Sequence, residues 1–489
     1  MYPHSLQLSL ETLIAASPLL GHPLEDRASI HRLQDLELVK RWQDASSIPL
    51  GNSRQQELFC VAPLDLLVAE RDGEKQFHLL ELNGTGIGGL TNMPPRTVSA
   101  ILAGMNHMAV RQHDSHSHPL VLIASSGKES IRNPRLNKLI YEKLLYADAF
   151  MQGFRSLGTD PTISTLDGLR SDDSPLRRGG PAVVVGYIKE FLDTLRLGGD
   201  GQLTLMGRAV TGGVNDRFCM NVISHFEGNV DLNRFATMNR CHLAGSDKGT
   251  AYGLLNDFLQ AYPQSHFPES VPFEMVQNRE DLCSSILEWQ SRGMRPVIKP
   301  RGTGLGHGIE FFLGQDSDGQ VLRKVDRSLR MTEEFYGVEG GAFPYTVCEY
   351  VDACTVPQKK HPLYGHKYEL RVVVYRDGMT LRAFPSIIKV AADPPAPGQD
   401  SERGLINNIT ATCVNKNARG TDFMFPLANR KTMDAFGLEE GHMVALCSAA
   451  TGYVRYILDE IQRNPQRLGL PGTQSQDGQR PFELQRLCA

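Results

Sequence analysis

A chain of 489 residues is long enough for two or three domains, each with its own core. Hydrophobic residues at 41% and charged residues at 22% are ordinary for a globular protein, and 51 Lys+Arg against 55 Asp+Glu give a net charge of −4. That balance is too near neutral to suggest nucleic acid or a membrane surface as a partner. No apolar run approaches the ~18 residues of a membrane span, and MYPHSLQLSLETLIAASPLL lacks the basic start of a signal peptide. Nine scattered cysteines with no CxxC pair read as reduced thiols. Composition therefore predicts a soluble, cytoplasmic enzyme or binder of small molecules.

The first strong pattern is APLDLLVAERDGEKQFHLLELNGTGIGGLTNMPP (62–95). It reads as a strand, a turn at Asp72-Gly73, a second strand through Glu81-Leu82-Asn83, and a glycine run. Side chains alternate along a strand, so Glu81 and Asn83 share a face. RQHDSHSHP (111–119) reads as a polar linker. The histidines around it (His107, His113, His116, His118) have no strand or helix to fix them, so no metal is assigned there. LVLIAS then reads as a strand, NPRLNKLIYEKLLYADAFMQGF as a helix, SDDSPLRRGGP (171–181) as a second linker, and AVVVGYI as a strand. Residues 119–240 thus predict an α/β domain with a parallel sheet. No motif within it identifies a substrate.

From 247 the texture changes. A helix is predicted at 249–261, strands at 296–300 and 308–313 flank a glycine turn, and TVCEYV (346–351) forms another strand. YELRVVVYRDGMTLRAFPSIIKV (368–390) predicts a hairpin about Asp377-Gly378. INNITATCV (406–414) reads as a strand, MVALCSAATGYVRYILDEIQ as a long helix, and the Gln-, Gly- and Pro-rich end as a tail.

PVIKPRGTGLGHGIEFF (296–312) carries the most information. A Walker A loop needs its lysine directly after the last glycine, whereas Lys299 precedes the first. A protein kinase needs HRD and DFG, and neither occurs. A dinucleotide fingerprint opens a helix, whereas EFFLG reads as a strand. What remains is a hairpin whose glycine tip turns backbone N–H groups toward an anion, with Lys299 beside it as a fixed charge. A plain surface hairpin is the other reading open at this point. His307 reads as a solvated loop residue, and His361 and His366 receive no role.

In order, these segments resemble the ATP-grasp superfamily over about 247–414. The resemblance implies that Lys248, after Asp247, and Lys299 hold ATP phosphates, with Gly302, Thr303, Gly304, Gly306 and Gly308 closing over them. It implies that Glu349, Tyr350 and Val351 face the adenine and that Glu369 accepts the ribose hydroxyls. Arg371 and Lys389 fall where the family often places cations near the phosphates or acyl phosphate. The implied fold is α/β and α+β: two α+β subdomains clasping ATP, plus a parallel-sheet α/β domain preceding them.

The metal segment that should close such a domain is missing after 414, but 62–95 looks like the closing segment of D-alanine–D-alanine ligase or glutathione synthetase. The resemblance makes Asp65, Glu81 and Asn83 the Mg²⁺ ligands, normally for two ions, in a circularly permuted chain. Eukaryotic glutathione synthetase sets a precedent for permuted order. The alternative is that Asn407 or Asn408 binds metal. Pro63 stands where the family often has an arginine that steadies the tetrahedral intermediate, leaving Arg371 or Arg403 for that task. The implied division is 1–110 (permuted closing segment), 119–240 (substrate domain), 245–355 (glycine-loop subdomain), 366–470 (remainder of the catalytic subdomain) and 471–489 (tail). The implied activity phosphorylates a carboxylate with ATP and joins it to an amine or amino acid, releasing ADP and phosphate. A non-catalytic ATP binder, as synapsin is, stays open. The expected partners are small molecules, without nucleic acid or membrane, and the resemblance admits a homodimer.

Overall fold

The structure, a computed structural model, describes residues 33–84, 93–125, 137–263, 270–301, 308–336, 343–395 and 423–468, with residues 9, 11, 12, 90, 306 and 470. It is mixed α/β, and the described strands form four sheets. The largest runs in the order Ile48–Pro49, Thr380–Val390, Tyr368–Asp377, Val61–Arg71, Glu74–Leu82, with Met424–Pro426 added beside Thr380–Val390. All its pairings are antiparallel. The N-terminal hairpin therefore continues the sheet begun by the 368–390 hairpin, about three hundred residues away in sequence. Its turn is made by Asp72 and Gly73 at φ 55° and 85°, the positive pair that a two-residue hairpin turn requires.

Helix Glu440–Arg463 supports this sheet. Met443, Leu446, Cys447, Ala450, Tyr453, Val454, Ile457 and Ile461 recur every three or four residues, and all are buried. A second sheet is parallel throughout, in the order Ala236–Thr237, Gly212–Val214, Leu120–Ser125, Ala182–Tyr187, Thr162–Thr165. Its central strand LVLIAS is buried along its whole length, as a strand covered on both faces must be. A third, antiparallel sheet joins Phe273–Val276, Tyr345–Glu349, Pro296–Lys299 and Glu310–Phe311. Its core is separate, built on Leu282, Ile286, Ile298, Phe312, Val321, Val325 and Val347.

Three expectations need correcting. The 111–119 linker is helical up to Ser115, because helix Pro95–Ser115 buries Ile101, Met105, Met108 and Gln112 along one face. His107 and His113 lie on that helix, while His118 accepts a hydrogen bond from the Gly180 amide at 2.9 Å. The 171–181 linker contains a helical turn at Ser174–Arg177. The strand after the glycine turn shrinks from 308–313 to Glu310–Phe311. A small antiparallel sheet between Arg196 and Ala209 was not expected. The 406–414 segment and the tail 471–489 lie outside the described residues. The described cysteines are free, and no helix of the described residues is long and apolar enough to cross a membrane.

Candidate functional site

The register of the six-stranded sheet sets a charged row on one face. Asp65 lies opposite both Arg371 and Glu81, and Glu369 lies opposite Lys389. Residues two apart on a strand share a face, so Glu369 and Arg371 point the same way. Asp65 is only 1% exposed. Its Oδ1 accepts from Arg371 Nε at 2.7 Å, and its Oδ2 accepts from Arg371 Nη2 at 2.6 Å and Lys389 Nζ at 2.9 Å. Asn83 Nδ2 is the fourth donor to the carboxylate, reaching Oδ2 at 3.0 Å. Burial alone would raise the Asp65 carboxyl, but Arg371 and Lys389 outweigh it and hold it well below the usual carboxylate range. Glu369 also pairs with Lys389. There burial wins, with Asp65 and Glu81 adding to it against the pull of Lys389, and the carboxyl is lifted to about 7.

Beyond Asp65 the row meets the cations of the other segments. Asp247 caps helix Lys248–Ala261 by accepting from the Thr250 amide, which fixes Lys248 at the first helical position. Lys248 Nζ stands 3.7 Å from Glu81 Oε2. Lys299 ends strand Pro296–Lys299 and donates to the Tyr252 hydroxyl at 2.7 Å. That hydroxyl donates in turn to the Leu80 carbonyl at 3.4 Å, one residue before Glu81. Asp65, Arg371, Lys389, Glu369 and Asn83 thus form one contact network; Glu81, opposite Asp65 in the register, meets Lys248, and Tyr252 ties Lys299 to the backbone beside Glu81, although these residues come from three remote stretches of chain.

Of the glycine loop, Gly302, Thr303, Gly304 and His307 lie outside the described residues, as do Arg403, Asn407 and Asn408. Gly306 and Gly308 have φ 76° and 74°. A Cβ on Gly308 would lie 2.7 Å from Thr332 Cγ2 and 2.9 Å from Pro300 Cγ, so close packing on helix Asp318–Tyr336 requires that glycine. At the expected adenine strand, the amides of Glu349 and Tyr350 already donate to the Pro272 and Arg295 carbonyls. The Glu349 carboxylate takes the Arg295 amide. The Tyr350 ring has Arg295 Cζ 4.9 Å and Lys367 Nζ 4.8 Å from its centroid. His361 packs edge-on against Phe425 and Phe436, and His366 Nδ1 meets the Ala391 carbonyl, so both serve the packing here.

Mg²⁺ takes oxygen ligands and commonly binds through one or two carboxylates plus substrate phosphates. Glu81 and Asn83 suit such an ion, since the Glu81 side chain is 28% exposed and meets Lys248 only at 3.7 Å. Asp65 does not suit it, because both its oxygens already accept from Arg371 and Lys389. No group of three His, Cys, Asp or Glu among the described residues has metal-holding geometry, the His107–His118 set included.

Sequence reasoning missed Tyr252 and Lys367. Tyr252 stands four residues after Lys248, the spacing that puts both on one helix face. Lys367 is buried, paired with Asp352 at 2.9 Å and with the Tyr350 hydroxyl, and no local pattern marks it.

No family model and no curated protein matches the chain. Among solved structures it is similar to one assigned as a gamma-glutamylcysteine synthetase from Methylobacillus flagellatus KT, at 14% identity and a TM-score of 0.42, over 94% of this chain and 98% of that one. It is also similar to a glutathione synthetase-like effector from Globodera pallida in its apo form, at 12% identity and a TM-score of 0.31, over 80% of this chain and 85% of that one.

Proposed function

We propose that the protein is an ATP-dependent carboxylate–amine ligase of the ATP-grasp kind, with the metal-binding hairpin moved to the N-terminal end of the chain. The observation that carries this reading is the contact of Lys248 with Glu81, together with the Tyr252 bridge from Lys299 to the Leu80 carbonyl beside Glu81, at the edge of a sheet that also holds Arg371 and Lys389. The direct pairing of Val61–Arg71 with Tyr368–Asp377 supports the permuted order, since the hairpin completes the sheet in space.

A carboxylate is a poor electrophile. Transfer of the ATP γ-phosphoryl group makes it an acyl phosphate, which an amine attacks with phosphate leaving. The first step brings anions together, so catalysis is mainly positioning and charge neutralisation. In this reading Lys248 and Lys299 hold the phosphates. Glu81 and Asn83 would hold Mg²⁺, which when bound neutralises charge on the phosphoryl group. Arg371 and Lys389, fixed by Asp65 before substrate arrives, stabilise the negative charge that develops on the reacting carbonyl. Arg371 then takes the task left open by Pro63. The adenine lies against Glu349–Val351 by contacts other than the Glu349 and Tyr350 amides, which the Pro272 and Arg295 carbonyls already take.

One observation favours a second reading, nucleotide binding without turnover: Asp65 is committed to two cations, leaving two side chains for metal. The same assay separates the two. Purified protein is incubated with ATP, Mg²⁺ and pools of small carboxylates and amino acids. The ligase reading expects ADP and phosphate whose release depends on the added amine. AMP and pyrophosphate would contradict it, and ATP binding with no amine-dependent ADP would establish the second reading.

A further inference from the structure

We propose that Tyr252 is a positioning residue that holds the Lys299 ammonium in place for a phosphate and sets its distance from the strand bearing Glu81. The proposal rests on the nucleotide-binding part of the reading above. Lys299 sits at the end of a strand in the four-stranded sheet, and Glu81 sits in the six-stranded sheet. The contacts described above link them through a single side chain: Lys299 Nζ to the Tyr252 hydroxyl at 2.7 Å, and that hydroxyl to the Leu80 carbonyl at 3.4 Å.

Tyr252 is itself firmly held. It is 2% exposed, and its ring packs edge-on against Phe273 with centroids 5.5 Å apart. It lies one turn beyond Lys248 on the same helix, so it also fixes the geometry between the two lysines. A long lysine side chain has several rotamers to lose on binding, and an ammonium anchored beforehand loses fewer of them then.

The chemistry of the anchor matters as much as its place. Asp65 meets Arg371 and Lys389 with a full negative charge, which offsets theirs. Tyr252 meets Lys299 with a neutral oxygen. Burial pushes the phenol up, against the pull of Lys299, so it keeps its proton at neutral pH. The hydroxyl can therefore accept from the ammonium and donate to Leu80 at once, and the positive charge of Lys299 stays available to an anion.

The test is a double-mutant cycle on nucleotide affinity, with wild type, Tyr252→Phe, Lys299→Ala and the double variant titrated with ATP and with adenosine by calorimetry. Tyr252→Phe keeps the ring and removes only the oxygen. It is expected to weaken ATP about tenfold, the effect of one hydrogen bond to a charged group, and to leave adenosine affinity unchanged. In the Lys299→Ala background it is expected to cost nothing further. ATP affinity unchanged in Tyr252→Phe would overturn the proposal alone, as would an equal loss in both backgrounds. A parallel loss of adenosine affinity would also overturn it, since a damaged subdomain weakens both ligands. Wild-type protein that takes up no ATP would overturn the nucleotide reading and this proposal with it.

Discussion

Asp65 and Glu369 are two buried carboxylates that share one lysine and behave oppositely. Asp65 has a bidentate arginine as well, so its charge is favoured and its pKa falls. For Glu369 burial prevails, with Asp65 and Glu81 adding to it against the pull of Lys389, and its pKa rises from 4.5 to about 7. The signs of the stability terms follow. A depressed carboxylate stabilises the fold above its unfolded value of 3.8, and that contribution is lost as pH falls through the acid range. A raised carboxylate binds its proton more tightly in the folded state, so between 4.5 and about 7 stability falls as pH rises. Glu369→Gln is expected to flatten the stability–pH curve in that window and to leave the acid limb governed by Asp65. Urea unfolding at a series of pH values measures it, and an unchanged slope between pH 5 and 7 would contradict the assignment.

Elements differed in how plainly the sequence announced them. The 61–82 and 368–390 hairpins were legible, because strand-like apolar runs flank Asp-Gly turns, where Asp72, Gly73 and Gly378 take the positive φ that few residues accept. LVLIAS and AVVVGY were legible as buried parallel strands, being short apolar runs between breakers. The end of helix Pro95–Ser115 was misread because the histidines around it made the stretch polar on average, while the burying positions Met105, Met108 and Gln112 kept a helical spacing. The sheet between Arg196 and Ala209 consists of strands two or three residues long, below any readable period. The embrace of Asp65 by Arg371 and Lys389 was illegible for another reason: it depends on strand pairing between segments about three hundred residues apart. One packing contact gives the element scale its own test. Gly153 on helix Asn137–Arg155 lies against helix Pro95–Ser115, and an added Cβ would stand 2.8 Å from Ala109 Cβ and 2.9 Å from the Asn106 carbonyl oxygen. Gly153→Ala is expected to destabilise by about 1–3 kcal/mol, as overpacking does. Denaturant melts measure this, and ATP affinity should stay unchanged because the contact touches none of the proposed phosphate groups.

At the scale of the whole molecule, the order of the chain and the order of the site differ. Val61–Leu82 supplies Asp65 and Glu81, the segment from 247 to 299 supplies Lys248, Tyr252 and Lys299, and Tyr368–Val390 supplies Glu369, Arg371 and Lys389. Two antiparallel sheets bring them together, with helix Lys248–Ala261 between and the parallel-sheet region alongside. Such an arrangement suits a nucleotide clasped between sheets, with one lysine from the helix and one from the facing strand. The claim that these remote segments form one nucleotide and metal site is tested most directly by a crystal structure of the protein with a non-hydrolysable ATP analogue and Mg²⁺. The expected result is phosphates between Lys248 and Lys299, with Mg²⁺ on oxygens of Glu81 and Asn83 at about 2.0–2.1 Å. Phosphates bound away from Lys299, or a metal held without Glu81, would contradict it.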